Sequence, residues 1–424
     1  MPHEPILLIC HGFPPVRGIG GRRWAKFAKE LARRGHPVHV IRNAGTTGRL
    51  DSLWTADGMH PGIIHHPLPQ RYPTVLVKRP LTRMTDKVMY RLWQRLLPLL
   101  TRGNWRDSTI LWKRPLLRLA GRLIRQHGIR HVIVTGAPFS LLAHATALRK
   151  EHPGIRLIAD LRDAWTWAPG YGMASLSPKR LQHEQRKEAK VVAQADLLIS
   201  PHEAVIDHLR RTYPEQAHAM AVLPHAVDPA DLDVEARPLQ DGIFRMIYAG
   251  SLYGAEEADA YIEALLRAFE ALRREDPEAL GRCQLDFFIT GTGTAALEAR
   301  VRQRGLSGQV RFHAPQPPRE VFRRVAQADL VLAFIPSMNR DILGTKFNEL
   351  YFLRRPVLHI GEPGLVSRTI LERRMGDSLR VDQLGTELPR IIRGERHVQA
   401  SPGAEADALL LPRLTDRLLR EVLA

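Results

Sequence analysis

The residues with the most chemical potential lie near the C-terminus, in Asn339-Arg340-Asp341-Ile342-Leu343-Gly344-Thr345-Lys346-Phe347-Asn348-Glu349. A polar turn ending in Gly344 opens a helical pattern, which puts Lys346 in a first helical turn. Unpaired backbone N–H groups and the helix dipole already favour anions there. Glu349 stands one turn further along, and Asp341 precedes it by eight residues. A cation beside carboxylates suits a phosphorylated sugar, with Lys346 on a diphosphate and the acids on ribose or hexose hydroxyls.

Three other stretches carry chemistry. Gly12 to Gly21 leaves an apolar run and opens a helix, and Gly18, Gly20 and Gly21 would let backbone N–H groups approach an anion. The bland reading of that loop is a tight strand-to-helix turn. Asp160-Leu161-Arg162-Asp163-Ala164-Trp165 follows another apolar run, where parallel-sheet proteins place ligands. Arg162 suits a phosphate or carboxylate, and Asp163 suits sugar hydroxyls or a proton; alternatively the two form a structural pair. Gly291-Thr292-Gly293 sits between a strand and a helix, like a dinucleotide loop. The acid such a loop requires is missing, because the next strand ends at His313-Ala314-Pro315.

The elements that must position these residues alternate. Strands are expected at Ile6–Cys10, Val38–Ile41, Val132–Thr135, Leu157–Asp160 and Leu197–Ser200. Helical stretches separate them, including Arg22 to Arg34 with Trp24, Phe27, Ala28 and Leu31 on one face. A Pro-rich stretch from Leu223 to Gly242 precedes a second series: Met246–Ala249, Leu285–Thr290, Val310–His313, Leu330–Phe334 and Val357–Ile360. Alternation of this kind implies βαβ units and a largely parallel α/β sheet in each half. The expected division is an N-terminal domain over 1–225 and a C-terminal domain over 243–403. A final helix over 404–424 carries Leu410, Leu414, Leu418 and Val422 at helical spacing.

Asp341 and Glu349, with Lys346 and the following Arg355-Pro356-Val357-Leu358, resemble the donor-site signature of retaining GT-B glycosyltransferases of family 4. Tyr248-Ala249-Gly250-Ser251-Leu252 resembles the opening strand and phosphate loop of their donor domain. Thr135-Gly136-Ala137-Pro138-Phe139-Ser140 and Asp160 to Trp165 resemble segments of a bacterial subgroup. The resemblance implies two tandem Rossmann-like domains, an interdomain cleft and a last helix crossing back to the N-terminal domain. It implies donor binding by Gly18, Gly20, Gly21, Gly250, Ser251, Gly291, Asp341, Lys346 and Glu349, with catalysis involving Asp163, Arg162 and Lys346. The expected reaction moves a sugar from a nucleotide-sugar donor to a glycan or lipid-linked acceptor with retention of configuration. Asp341 departs from the usual glutamate, and Arg162 replaces a histidine common in relatives. A GT-B sugar-nucleotide epimerase and a basic binding protein with a degenerate cleft are the alternatives.

Composition narrows the setting. With 424 residues, 44% hydrophobic and 25% charged, the chain suits two or three soluble domains. Cys10 and Cys283 are its two cysteines, so no disulfide framework is expected, and no His/Cys cluster has metal-ligand spacing. No cofactor or essential metal is therefore expected. Neither a leader pattern nor a membrane span is visible, which predicts a cytoplasmic protein. The net charge is +18, and Leu76 to Arg130 holds fourteen Lys/Arg against Asp86 and Asp107. Trp93, Leu96, Leu97, Leu100, Trp105, Trp112, Leu116, Leu117 and Leu123 interleave with its Arg91, Arg95, Arg118, Arg122 and Arg125. That pattern fits an anionic membrane surface, or else solvated helices packing ordinary apolar faces. No nucleic-acid motif accompanies it.

Overall fold

Short apolar runs flanked by Gly and Pro become buried parallel strands, because helices cover both faces of the sheet they form. The computed structural model describes residues 4–16, 19–45, 54–77, 81–168, 170–232, 237–252, 255–289, 294–314, 316–401 and 403–423. The chain divides into two units, one of residues 1–225 with 411–424 and one of residues 226–410.

The first unit contains β1 (Ile6–Ile9), β2 (Val38–Asn43), β3 (Ile63–Leu68), β4 (His131–Gly136), β5 (Arg156–Leu161), β6 (Leu197–Ser200) and β7 (Met220–Val222). They form one sheet in the order β3-β2-β1-β4-β5-β6-β7. All its pairs are parallel, with Ile6 opposite both Val38 and His131. The helix Arg22–Arg33 buries Trp24, Phe27, Ala28 and Leu31, the face expected from its spacing. Arg34 closes it against the last segment of the chain, donating to Asp416 at 2.5 Å and to the Pro412 carbonyl at 2.8 Å.

The second unit contains β8 (Phe244–Gly250), β9 (Cys283–Ile289), β10 (Val310–Phe312), β11 (Leu330–Ile335), β12 (Val357–Gly361) and β13 (Gly376–Leu379), in the order β10-β9-β8-β11-β12-β13. Its pairs are again parallel, with Met246 opposite Leu285 and Leu330. Both sheets therefore reverse strand order beside their first strand, the doubly wound arrangement.

Two segments differ from expectation. The last helix is not continuous: Ala404–Leu409 is a 3₁₀ turn, Leu411–Arg417 an α-helix and Leu418–Val422 a π turn. Pro412, which cannot donate a backbone N–H, fits the start of a new helix rather than the middle of an old one. Only the portion from Leu411 belongs to the first unit. Within the basic segment, Trp112, Leu116 and Leu123 are core residues, and Leu117 packs against that core. The helix Lys113–His127 is thus an ordinary amphipathic element with a solvated basic face. Met84–Leu100 buries only Leu97. Among the described residues no helix is long and apolar enough to cross a membrane.

Candidate active site

In each sheet the strand order reverses between the first strand and its neighbour, leaving a crevice at the C-terminal strand ends. In the first unit three loops meet there, following β1, β4 and β5. The loop after β1 folds back on itself, because a Cβ on Gly21 would run into the Gly12 carbonyl. Gly20 lies against Arg162, whose guanidinium a Cβ at that position would meet at 3.2 Å. Gly18 lies outside the described residues.

Arg162 ties the loops together. Its guanidinium donates to the Gly20 carbonyl, and to the Ala137 carbonyl at 2.7 Å. Its Nε lies 3.4 Å from Asp163 Oδ2. Burial works against the charge, but Asp163 together with Cys10, Tyr171 and Asp160 outweighs it, and the guanidinium pKa is raised. Arg162 therefore fixes loop geometry with donors that the sequence offered either to a ligand or to a structural pair.

Asp163 is half-buried. Its Oδ2 accepts the Tyr171 hydroxyl at 2.7 Å, whereas Oδ1 has no hydrogen-bond donor among the described residues. One carboxylate oxygen is held while the other remains available to a hydroxyl. Asp160 has a different role. It is fully buried, and its Oδ2 accepts Trp24 Nε1 at 2.6 Å and the Thr135 hydroxyl at 2.7 Å. Arg23 Nε lies 3.6 Å from Asp160 Oδ1. The rest of the Arg23 guanidinium donates to the Leu223 and Pro224 carbonyls, both at 2.7 Å. Trp165 is likewise structural, stacking on Phe139 at 4.9 Å and donating to Glu184 at 3.1 Å.

Tyr171, His202 and His225 join this site without having been singled out in the sequence. His202 begins the helix after β6, and its ring meets that of His225 edge-on at 5.5 Å. Burial lowers the His202 pKa, opposed by the nearby Asp163 charge, so the ring is neutral near pH 7. Isolated histidines carry no sequence signal; only the sheet order brings His202 near Asp163 and His225 against His202. A pocket of about 170 Å³ also opens here, lined by Asn104, Arg106, Ser108, Pro138, Phe139 and Tyr171.

In the second unit the crevice lies after β8 and β11. Gly250 ends β8 at φ +148°, in a backbone region that favours glycine, and a Cβ there would stand 3.6 Å from Lys346 Nζ. The Tyr248 hydroxyl donates to the Ser251 carbonyl at 2.8 Å and shapes the loop. Lys346 sits in the first turn of the helix Thr345–Leu353, as its spacing predicted. Its ammonium lies 5.6 Å from the Tyr248 ring centre and 5.5 Å from that of Phe347. Among the described residues Lys346 has no hydrogen-bond or ion-pair partner, and burial pulls its pKa down to about 8. An uncompensated cation beside a glycine-opened loop is a receptor for an anion.

Glu349 lies buried in the same helix. Asp341 is on the surface, its side chain 56% exposed and 3.3 Å from Arg340 Nε. Its Oδ1 accepts the Leu365 N–H at 2.9 Å, capping the first turn of the helix Leu365–Glu372. Gly291 lies outside the described residues. Glu257 accepts the Ser337 N–H and hydroxyl, each at 2.8 Å. His359 was not anticipated: its Nδ1 lies 2.9 Å from the Ser378 hydroxyl, and its buried Nε2 has no partner among the described residues. Burial and the Lys346 charge lower its pKa to about 4. The two cysteines do not act here, since burial raises each thiol to about 12.

The model described as Glycosyltransferase Family 4 matches residues 20–231. No curated protein matches the sequence. Sucrose-phosphate synthase from Thermosynechococcus elongatus superimposes with a TM-score of 0.59 at 13% identity, over 98% of this chain and 94% of that one. WaaG, a glycosyltransferase involved in lipopolysaccharide biosynthesis, gives 0.54 at 15% identity, over 99% and 96%. A putative UDP-N-acetylglucosamine 2-epimerase from Listeria monocytogenes gives 0.56 at 10% identity, over 99% and 96%. At these identities the likeness is one of fold.

Proposed function

This chain belongs to glycosyltransferase family 4, and from that premise we propose that it transfers a hexose from a nucleotide-sugar donor to a glycan or lipid-linked acceptor, with retention of configuration. The observation that carries the donor half is Lys346, a desolvated ammonium without a partner among the described residues, facing the loop after β8. A nucleoside diphosphate supplies the missing anion. As the bond to the anomeric carbon breaks, negative charge grows on the diphosphate oxygen, and a preorganised cation stabilises that charge more than the ground state.

Glu349 is assigned to the ribose hydroxyls and Asp341 to the donor hexose, with Gly250 and Ser251 offering backbone groups to the phosphates. On the acceptor side, Asp163 Oδ1 orients the attacking hydroxyl while Tyr171 and Arg162 hold the rest of the carboxylate. The leaving phosphate takes the acceptor proton in this scheme, so the reading asks for no resident metal or cofactor. The acceptor is assigned to a polysaccharide or lipid-linked precursor at the inner face of an anionic membrane. Epimerases share the fold, but family membership favours transfer.

Titration calorimetry with UDP, GDP, CMP and dTDP tests the donor assignment; failure to bind any of the four would defeat it. With the nucleotide known, product analysis with candidate acceptors separates transfer from epimerisation. The anomeric proton coupling of the product then reports retention.

A further inference from the structure

The helix Met84–Leu100 is out of balance with the rest of the molecule. Seventeen residues long, it buries one side chain, Leu97. Met84, Val88, Met89, Leu92, Leu96, Leu99 and Leu100 are all exposed, Leu99 at 81% and Leu100 at 72%. At about 100° per residue these seven fall within an arc of roughly 160°. Arg95 lies just inside one edge of that arc, Arg91 and Lys87 occupy the arc beyond it, and Arg83 and Arg102 flank the helix. A contiguous apolar face of this kind on a soluble protein marks an interaction surface.

We propose that this face seats the protein on an anionic lipid bilayer, with the helix lying in the interfacial plane. Charge selects this occupant. A second copy on the same face would bring Lys87, Arg91 and Arg95 against their own images. An anionic headgroup layer instead accepts the cations at the level where their side chains can snorkel, while the leucines enter the acyl boundary. The inference deepens the membrane part of the preceding reading by placing it on one element. It also removes Lys113–His127, whose apolar face is already in the core.

The far end of the helix is anchored to the body of the first unit. Arg180 donates to the Thr101 carbonyl at 3.1 Å and to the Gly103 carbonyl at 2.7 Å, and Glu184 accepts the Asn104 N–H at 2.7 Å. Close behind, Asn104 and Arg106 to Ser108 line the pocket that includes Phe139 and Tyr171. A bilayer under the helix therefore lies one loop away from the residue that holds Asp163. An acceptor whose tail stays in the membrane would reach that pocket without leaving it.

The test is co-sedimentation of the full chain with vesicles of phosphatidylcholine alone, or mixed equally with phosphatidylglycerol. Binding is expected to the mixed vesicles, to be weaker on phosphatidylcholine, and to fall with added salt. The variant Leu92→Glu/Leu96→Glu/Leu99→Glu is expected to lose at least about tenfold in partitioning, since each leucine forfeits its apolar burial. Arg91→Gln/Arg95→Gln is expected to lose about tenfold or more on mixed vesicles only. All five side chains are solvent-facing, so melting temperature and nucleotide binding should stay unchanged, which separates failure here from failure of the donor reading. Unaltered partitioning of the triple variant would overturn the proposal. So would equal binding to both vesicle types, or a dimer in light scattering that the triple variant splits without any lipid effect.

Discussion

Replacing Lys346 by Met removes the charge while keeping an unbranched apolar chain against Tyr248 and Phe347. Burial lowers the ammonium from 10.5 to about 8. A drop of that size corresponds to at most about 3 kcal/mol of destabilisation carried by the unliganded protein at pH 7. The residue keeps some solvent contact, which trims the figure. Lys346→Met is therefore expected to stabilise the second unit by about 1–3 kcal/mol, or roughly 2–10 °C in melting temperature for a unit of that size. It is also expected to weaken nucleoside diphosphate binding at least about tenfold, through loss of a charge-assisted contact. The pH dependence has a definite sign. Between about 8 and 10.5 the unfolded chain binds the lysine proton and the folded chain does not, so wild-type stability rises with pH across that window. The variant lacks this rise. Nucleotide binding should run the other way, steady below about 8 and weakening above it, because the anion requires the protonated form. Scanning calorimetry at several pH values, with titration calorimetry, reads both effects. A variant that melts lower and binds nucleotide as tightly as the wild type would refute the reasoning.

Asp163→Asn should lower kcat by about two orders of magnitude while leaving the nucleotide dissociation constant unchanged, as measured by steady-state transfer and titration calorimetry. Tyr171→Phe, which frees one oxygen of that carboxylate, should raise the acceptor KM more than it lowers kcat. Gly21→Ala should cost about 1–3 kcal/mol in urea unfolding, since the new methyl meets the Gly12 backbone. Asp160→Asn should cost about 3 kcal/mol or more, because Arg23 then stays buried beside a neutral amide.

Much of the architecture was legible because central parallel strands are buried on both faces and appear as unbroken apolar runs. The three strands that went unread are all at or near sheet edges. Ile63–Leu68 is interrupted by His65-His66-Pro67, Met220–Val222 has three residues, and Gly376–Leu379 is half polar. Edge strands need only one apolar face, so the signal fades where the sheet ends. In the candidate site, Lys346 and Glu349 were readable because one short helix carries both at fixed spacing. Tyr171, His202 and His359 were not, because each stands alone in sequence and acquires neighbours through strand order. Arg162 stayed open to two readings for a related reason. A guanidinium after a strand looks the same whether it awaits a phosphate or grips the carbonyls of two distant loops.

The division of the chain has a consequence for biosynthesis. The second unit is continuous, and its two ends meet where the Val227 N–H donates to the Leu409 carbonyl at 2.8 Å. The first unit is interrupted, and its closing piece, with Leu411, Leu414, Leu418 and Val422 buried, is translated after the whole of the second. A nascent chain can therefore complete the later-encoded unit while the earlier one still lacks a wall. A stop just after Leu410 would leave that unit with an open apolar seam and Arg34 without Asp416. Loss of the codons from Leu411 onward would thus damage the unit made first.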